Sequence, residues 1–234
     1  MTDKGRIIAD ANADKIDMNP AVAYSQASSH PGRYTRDIAK PATSDTTTML
    51  ITHERDKLLN AVVYFATNTR NCVKPKLFKL LYLLDFEHFR TTGRSVTDLM
   101  YYAWRMGPVP VTLDEDLDNP QDDLCDAVRI VSEQVIDHCR LTVIPQRDFD
   151  HSHFSKRELR LLAELAERYR NHTAQEMVDV THAENGAWER VWADGAGRNA
   201  LIPYEIAVSG EDSAMILALA KEHEAIKEHY GDDA

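Results

Sequence analysis

Residues 75–110, PKLFKLLYLLDFEHFRTTGRSVTDLMYYAWRMGPVP, combine the longest helical apolar pattern in the chain with its densest aromatics and its sharpest turn signal. Leu77, Leu81, Leu84 and His88 fall on one line of a helix. Phe78, Tyr82, Phe86 and Phe89 widen that line until little of the cylinder is polar, which predicts a helix buried on several sides. Pro75 suits a first turn, where its missing N–H has no partner to lose, and Gly93 suits a left-handed C-cap. Beyond the cap, Met100, Tyr102, Trp104 and Met106 alternate with Leu99, Tyr101, Ala103 and Arg105. That period of two predicts a half-buried strand, broken at Gly107-Pro108.

Working outward, a helix from Thr52 is expected, with Leu58, Leu59, Val62, Val63 and Phe65 as its buried side. It should pair with the Pro75 helix across a short connection. Lys74, Lys76 and Lys79 at the start of that helix oppose its dipole and are read as solvated lysines. Residues 114–126 hold seven acids and no base. The spacing lacks the central Gly and closing Glu of a calcium loop, so this stretch reads as an acidic helix end and loop, with an acidic face for a basic partner as the functional reading. Val128 to Ile144 is rich in β-branched residues and suggests one or two strands turning near Ser132 to Gln134. Ser155-Lys-Arg-Glu158 is a capping box, and Thr173-Ala-Gln-Glu176 repeats that chemistry ahead of a second helix reaching His182. Trp188 and Trp192 lie four apart on a short helix, and a last helix is expected from about Glu211 to Tyr230.

The 234 residues suffice for one good-sized domain, and 43% apolar with 28% charged residues is an ordinary globular composition. No run approaches the roughly 18 apolar residues of a membrane span, and the amino terminus lacks an apolar signal region, so a cytoplasmic protein with no membrane partner is expected. Cys72, Cys125 and Cys139 are odd in number and irregularly spaced, and are read as small buried hydrophobes. Residues 1–48 hold as many basic as acidic residues, so the whole net charge of −11 belongs to residues 49–234. Such a surface repels phosphate backbones, making nucleic acid a poor partner and a basic protein a good one. Residues 1–48 show no helical stripe longer than a turn and read as a flexible N-terminal arm, with Thr43 to Thr48 as a linker. A translation start at Met49 explains the same stretch equally well.

The chemistry-bearing residues form no catalytic set. His151 and His153 near Cys139 lack the paired ligands of a zinc site, and His182 with Glu184 has no nucleophile beside it. His182 is read as hydrogen-bonded to a neighbouring backbone or carboxylate group, and Tyr82 with Asp85 as structural hydrogen bonding. No enzyme activity, cofactor or metal is expected. Tyr101, Trp104 and Met106, with the acids Asp114, Glu115 and Asp116, are the candidate partner-binding residues: aromatics and Met dominate interface energies, and the acids would attract a basic partner.

Two stretches also resemble a known family. KLFKLLYLLDFEHFRTTGRSVTDLMYYAWRMGPVP is similar to the opening half of the Panacea domain, also called the SocA-like antitoxin or phage-associated GepA-like domain, where a lysine-leucine helix leads through an aromatic strand to Trp-x-x-Gly-Pro-Val. FSKRELRLLAELAERYRNHTAQEMVDVTHAENGAWERVW resembles its second signature, a capped helix and a shorter one ending in Thr-His-x-Glu with a tryptophan soon after. The likeness spans about residues 50 to 210. It implies a mainly α (α+β) fold with a few short strands, and an antitoxin that neutralises a cognate, adjacently encoded toxin by direct binding. The alternatives are an adaptor delivering a client to a cellular protease, or a phage-derived regulator binding DNA through Arg70, Lys74, Lys76 and Lys79. Assembly as a homo-oligomer stays open.

Overall fold

The computed structural model describes residues 46–135, 138–183 and 186–231, with side chains from residue 53 onward. Residues 1–45 of the arm expected at 1–48, and Glu184 of the second signature, lie outside them. The protein is mainly α: eight helices and two small antiparallel sheets among the described residues. Helix α1 (Thr46–Asn68) starts six residues before the expected Thr52, so the end of the threonine tract is helical and not linker. The β-branch of threonine costs only a few tenths of a kcal/mol per residue in a helix, less than propagation from the following turns supplies.

Helix α2 (Lys74–Thr92) is the central element. Pro75 lies in its first turn, and Gly93 closes it at φ 69° with its N–H on the Phe89 carbonyl, as both sequence signals require. It is buried around nearly its whole circumference and packs on α1, α5, α6, α8 and strand β2. A Cβ at Gly93 would come 2.7 Å from the backbone oxygen of Ile216, so this glycine also lets α8 (Ser213–Gly231) cross directly over the cap.

Strand β1 (Tyr101–Trp104) pairs antiparallel with β2 (Gly107–Pro110), Trp104 opposite Gly107. Gly107-Pro108 therefore does not terminate the strand region but begins the return strand, because Gly107 adopts φ 100° and turns the chain after Arg105-Met106. The other side of β1 is bonded by residues 199–202: Asn199 and Ile202 donate to the carbonyls of Ala103 and Tyr101, and the Ala103 N–H donates to Ala200. Helices α3 (Val111–Asp118) and α4 (Asp122–Ala127) lead to a second hairpin, β3 (Val128–Val135) and β4 (His138–Pro145). Its pairing runs unbroken to Val135 opposite His138, so β3 continues through Ser132 to Gln134, where a turn was expected.

Helix α5 (Lys156–Arg168) begins with both halves of the Ser155/Glu158 capping box in place. Thr173 and Glu176 make the corresponding bonds ahead of α6 (Ala174–Ala183), which α7 (Ala187–Trp192) follows. Of the cysteines only Cys72 is buried; Cys125 and Cys139 are exposed, against the expectation for all three. Cys139 sits on the outer part of the β3–β4 hairpin, which has no layer above it there, and its sulfur lies 2.7 Å from the Ser132 hydroxyl. Among the described residues no helix is long and apolar enough to cross a membrane.

Candidate functional site

The two sequence signatures meet in space around Lys79. Its side chain is 1% exposed, and Nζ donates to the Pro108 carbonyl at 3.2 Å. Gly107 lies against the same ammonium: a Cβ there would approach Lys79 Cε to 2.7 Å and Thr181 Oγ1 to 3.1 Å. The Trp-x-x-Gly-Pro-Val segment and the Thr-His segment of α6 thus close on one lysine. Burial lowers the Lys79 pKa from the ordinary 10.5 to about 7. Lys76 is fully buried as well, its Nζ donating to the carbonyls of Arg70 at 2.9 Å and Arg170 at 3.1 Å. The reading of a solvated lysine cluster is therefore wrong for both. Their long apolar stems run along the core, and backbone carbonyls receive the ammonium at the end. Lys74 is engaged by Asp114 and Asp118, so no basic patch for DNA forms on this helix.

Tryptophan 188 ties the signatures together a second time. Its backbone N–H donates at 3.1 Å to the Tyr82 hydroxyl, while its indole Nε1 donates to the Trp104 carbonyl, also at 3.1 Å. His182 stacks on the Trp188 ring, centroids 3.9 Å apart and planes within 4°, and Trp192 also stacks on the Trp188 ring, at 5.6 Å. Nε2 of His182 is buried without a hydrogen-bond partner among the described residues, where a backbone or carboxylate partner was expected. Burial and then the charge of Lys79 lower its pKa, so the ring is held by stacking in the neutral form.

One turn further along α2, the fully buried Asp85 gathers four donors. One oxygen accepts the N–H groups of Val96 and Thr97, both at 2.8 Å, and the other accepts the hydroxyls of Thr97 and Tyr101. Burial pushes this carboxyl up to about 6, against the pull of those donors, leaving it ionised at neutral pH. Asp85 thereby pins the loop into β1 from below, and the Tyr204 hydroxyl adds a bond to the Leu99 carbonyl.

Above this polar base the expected alternation holds through Trp104, where β1 ends; Arg105, on the inward phase of the sequence pattern, is exposed in the turn that carries Met106. Leu99, Tyr101 and Ala103 point into the core, while Met100 (52% exposed), Trp104 (39%) and Met106 (52%) face outward, joined by Leu201 (46%) on the segment that pairs with β1. Of the proposed binding residues, then, Trp104 and Met106 lie on an open apolar face. Tyr101 is an interior anchor, at 0% exposed and bonded to Asp85. On α3, Glu115 is exposed, but Asp114 bonds Lys74 at 2.9 Å and Asp116 bonds Arg55 at 2.6 Å. Asp118 and Asp123 share the same two cations, which come from α2 and α1, so the acidic stretch is partly neutralised by bases remote in sequence.

The structure thus presents exposed large apolar side chains at and beside β1 above a buried lysine, a four-donor carboxylate and stacked rings. In a comparison with known families, the family described as antitoxin SocA-like, Panacea domain, matches residues 77–189. The match is narrower than the expected span of 50 to 210, and it contains both Lys79 and Trp188. Searches of curated proteins and of solved structures returned no match.

Proposed function

We propose that this protein is an antitoxin that neutralises a cognate protein toxin by direct, stoichiometric binding, with residues 49–234 as the toxin-binding domain and residues 1–48 as an accessory extension. The observation that carries the reading is the outward face of β1, where Met100, Trp104 and Met106 stand exposed on a base fixed by Lys79, Asp85 and Trp188. A Trp ring buries a large area with few torsions to fix, and Met side chains adapt to the shape of a partner. The exposed Glu115, Asp122 and Asp126, and the net charge of −11, favour a basic toxin through faster encounter. Inhibition by occupancy requires no chemistry from the antitoxin, so a non-enzymatic, cytoplasmic role follows.

The test is co-expression of the chain with the product of the adjacent reading frame. Wild type should suppress that product's toxicity and co-purify with it at a fixed ratio. The double change Trp104→Ala, Met106→Ser should weaken the complex by about 2–4 kcal/mol while leaving the fold intact. Unchanged affinity in that variant would move the interface elsewhere, and absence of any complex would reject the proposal. Rescue that depends on a cellular protease would point instead to client delivery.

A further inference from the structure

An open cleft of about 800 Å³ lies on another part of the domain, between α1, α2, the 94–98 loop, the start of α5 and α8. Four histidines reach it, His53, His88, His153 and His223, together with four cations and three carboxylates. The carboxylates are all engaged. Lys227 holds Glu54 at 2.6 Å and Asp98 at 2.8 Å, and Lys57 holds Glu158 at 2.6 Å, whose other oxygen accepts the Ser155 N–H. The other two cations, Arg94 and Arg157, are exposed, and among the described residues neither has a carboxylate partner. On a chain of net charge −11, this cleft therefore keeps an excess of positive charge. Arg157 stands in the first turn of α5, a 13-residue helix whose start lines the same space but is already closed by the Ser155/Glu158 capping box, so the guanidiniums supply the free positive charge.

We propose that this cleft binds a small phosphate-bearing anion, held by the Arg94 and Arg157 guanidiniums beside the N-terminus of α5. The volume suits a ligand of nucleotide size or smaller. Guanidinium forks match phosphate oxygens two at a time. The imidazoles complete the site. His88 Nδ1 lies 2.8 Å from the Arg94 carbonyl, which fixes that nitrogen as the donor and leaves Nε2 to take up a proton when an anion arrives. Burial, with Lys57 and Arg157 nearby, lowers the His88 pKa, and burial with Arg94 and Lys227 lowers that of His223. Glu158 and Asp98 act in the opposite sense on the two rings. A bound anion screens those cations and raises both pKa values, so binding strengthens as pH falls toward 6. This site is independent of the strand face and does not rest on toxin capture.

The experiment is titration of the full chain with inorganic triphosphate and, separately, with ADP, followed by calorimetry and by the histidine ring resonances. The expected result is saturable one-site binding, an upward move of the His88 and His223 pKa values, and a loss of about tenfold or more in affinity in Arg94→Gln, Arg157→Gln. Arg198→Gln, an exposed cation outside the cleft, should bind as wild type. The single variants Arg94→Gln and Arg157→Gln, each expected to lose part of the affinity, serve if the double variant is misfolded. Tighter binding of ADP than of triphosphate would identify a nucleotide as the ligand; equal binding, the phosphate chain alone. Absence of saturation with either probe at millimolar concentration, or wild-type affinity in the arginine variants, would overturn the proposal.

Discussion

Removing the Asp85 carboxylate should be among the most damaging single changes available to this domain. In Asp85→Ala the N–H groups of Val96 and Thr97 lose their acceptor in a buried loop, and the Tyr101 hydroxyl, fully enclosed, loses its own. The Thr97 hydroxyl is a fourth orphan, although it can rotate toward other oxygens. At roughly 1–3 kcal/mol for each buried donor left unpaired, the three that cannot easily re-pair cost about 3–9 kcal/mol. That is comparable with the whole stability of an ordinary domain, about 5–15 kcal/mol. Asp85→Asn keeps the shape and one acceptor oxygen for the two backbone N–H groups, and both hydroxyls can turn to accept from its new NH2. Its cost should be about 1–3 kcal/mol, chiefly the loss of charge-assisted bonds. Urea unfolding followed by tryptophan fluorescence measures both variants, and amide exchange at Val96 and Thr97 reports the local clamp. Stability of Asp85→Ala within about 1 kcal/mol of wild type would refute the reasoning, because a clamp of four donors cannot be worth so little.

Lys79 supplies the pH-dependent case. Its folded pKa of about 7 lies below the ordinary 10.5, so between these values the unfolded chain holds a proton that the folded chain has released, and stability rises with pH. The burial penalty is complete below pH 7 and gone above 10.5; Lys79→Met should therefore lose its advantage over wild type by about 2–3 kcal/mol between pH 7 and 9, read as converging urea midpoints. Parallel midpoints across that range would show that the lysine titrates normally. Gly107→Ala meets both a φ of 100° and the 2.7 Å approach to Lys79 Cε, and should cost at least about 2 kcal/mol in thermal or urea unfolding. Ser155→Ala removes one half of an intact capping box and should cost about 1 kcal/mol, with Ser155→Asp retaining most of the stability.

Local chemistry made much of this fold legible in advance. Pro75, Gly93, the Ser155/Glu158 pair and the alternation from Leu99 to Trp104 each act within a few residues, and each element begins, ends or faces as those residues require. The strand reversal at Gly107 was hidden because a Gly-Pro pair signals a break without saying whether the chain leaves or folds back. The lysines were misread for a related reason. Lys76 and Lys79 lie on the same helical face as Leu83 and Phe86, spacing that places them inward, but the carbonyls that receive them belong to Arg70, Pro108 and Arg170. No local pattern announces an acceptor nearly a hundred residues away. The pairing of Arg55 and Lys74 with the acids of α3 and α4 was invisible on the same grounds, so Asp114 and Asp116 looked freer than they are. Tyr101 shows the limit of alternation alone: the strand could have been entered in either phase, and the Asp85 contact settles which side of it faces inward.

The buttress of the strand face is assembled from pieces made at different times. A ribosome releases Lys79 and the β1–β2 hairpin long before it releases Thr181, His182 and Trp188, and until those arrive the hairpin rests on α2 with the Trp104 carbonyl still lacking its indole donor. The surface is therefore completed only late in synthesis. A fragment ending between the hairpin and α6 would contain Met100, Trp104 and Met106 but lack both Leu201 and the indole that bonds the Trp104 carbonyl.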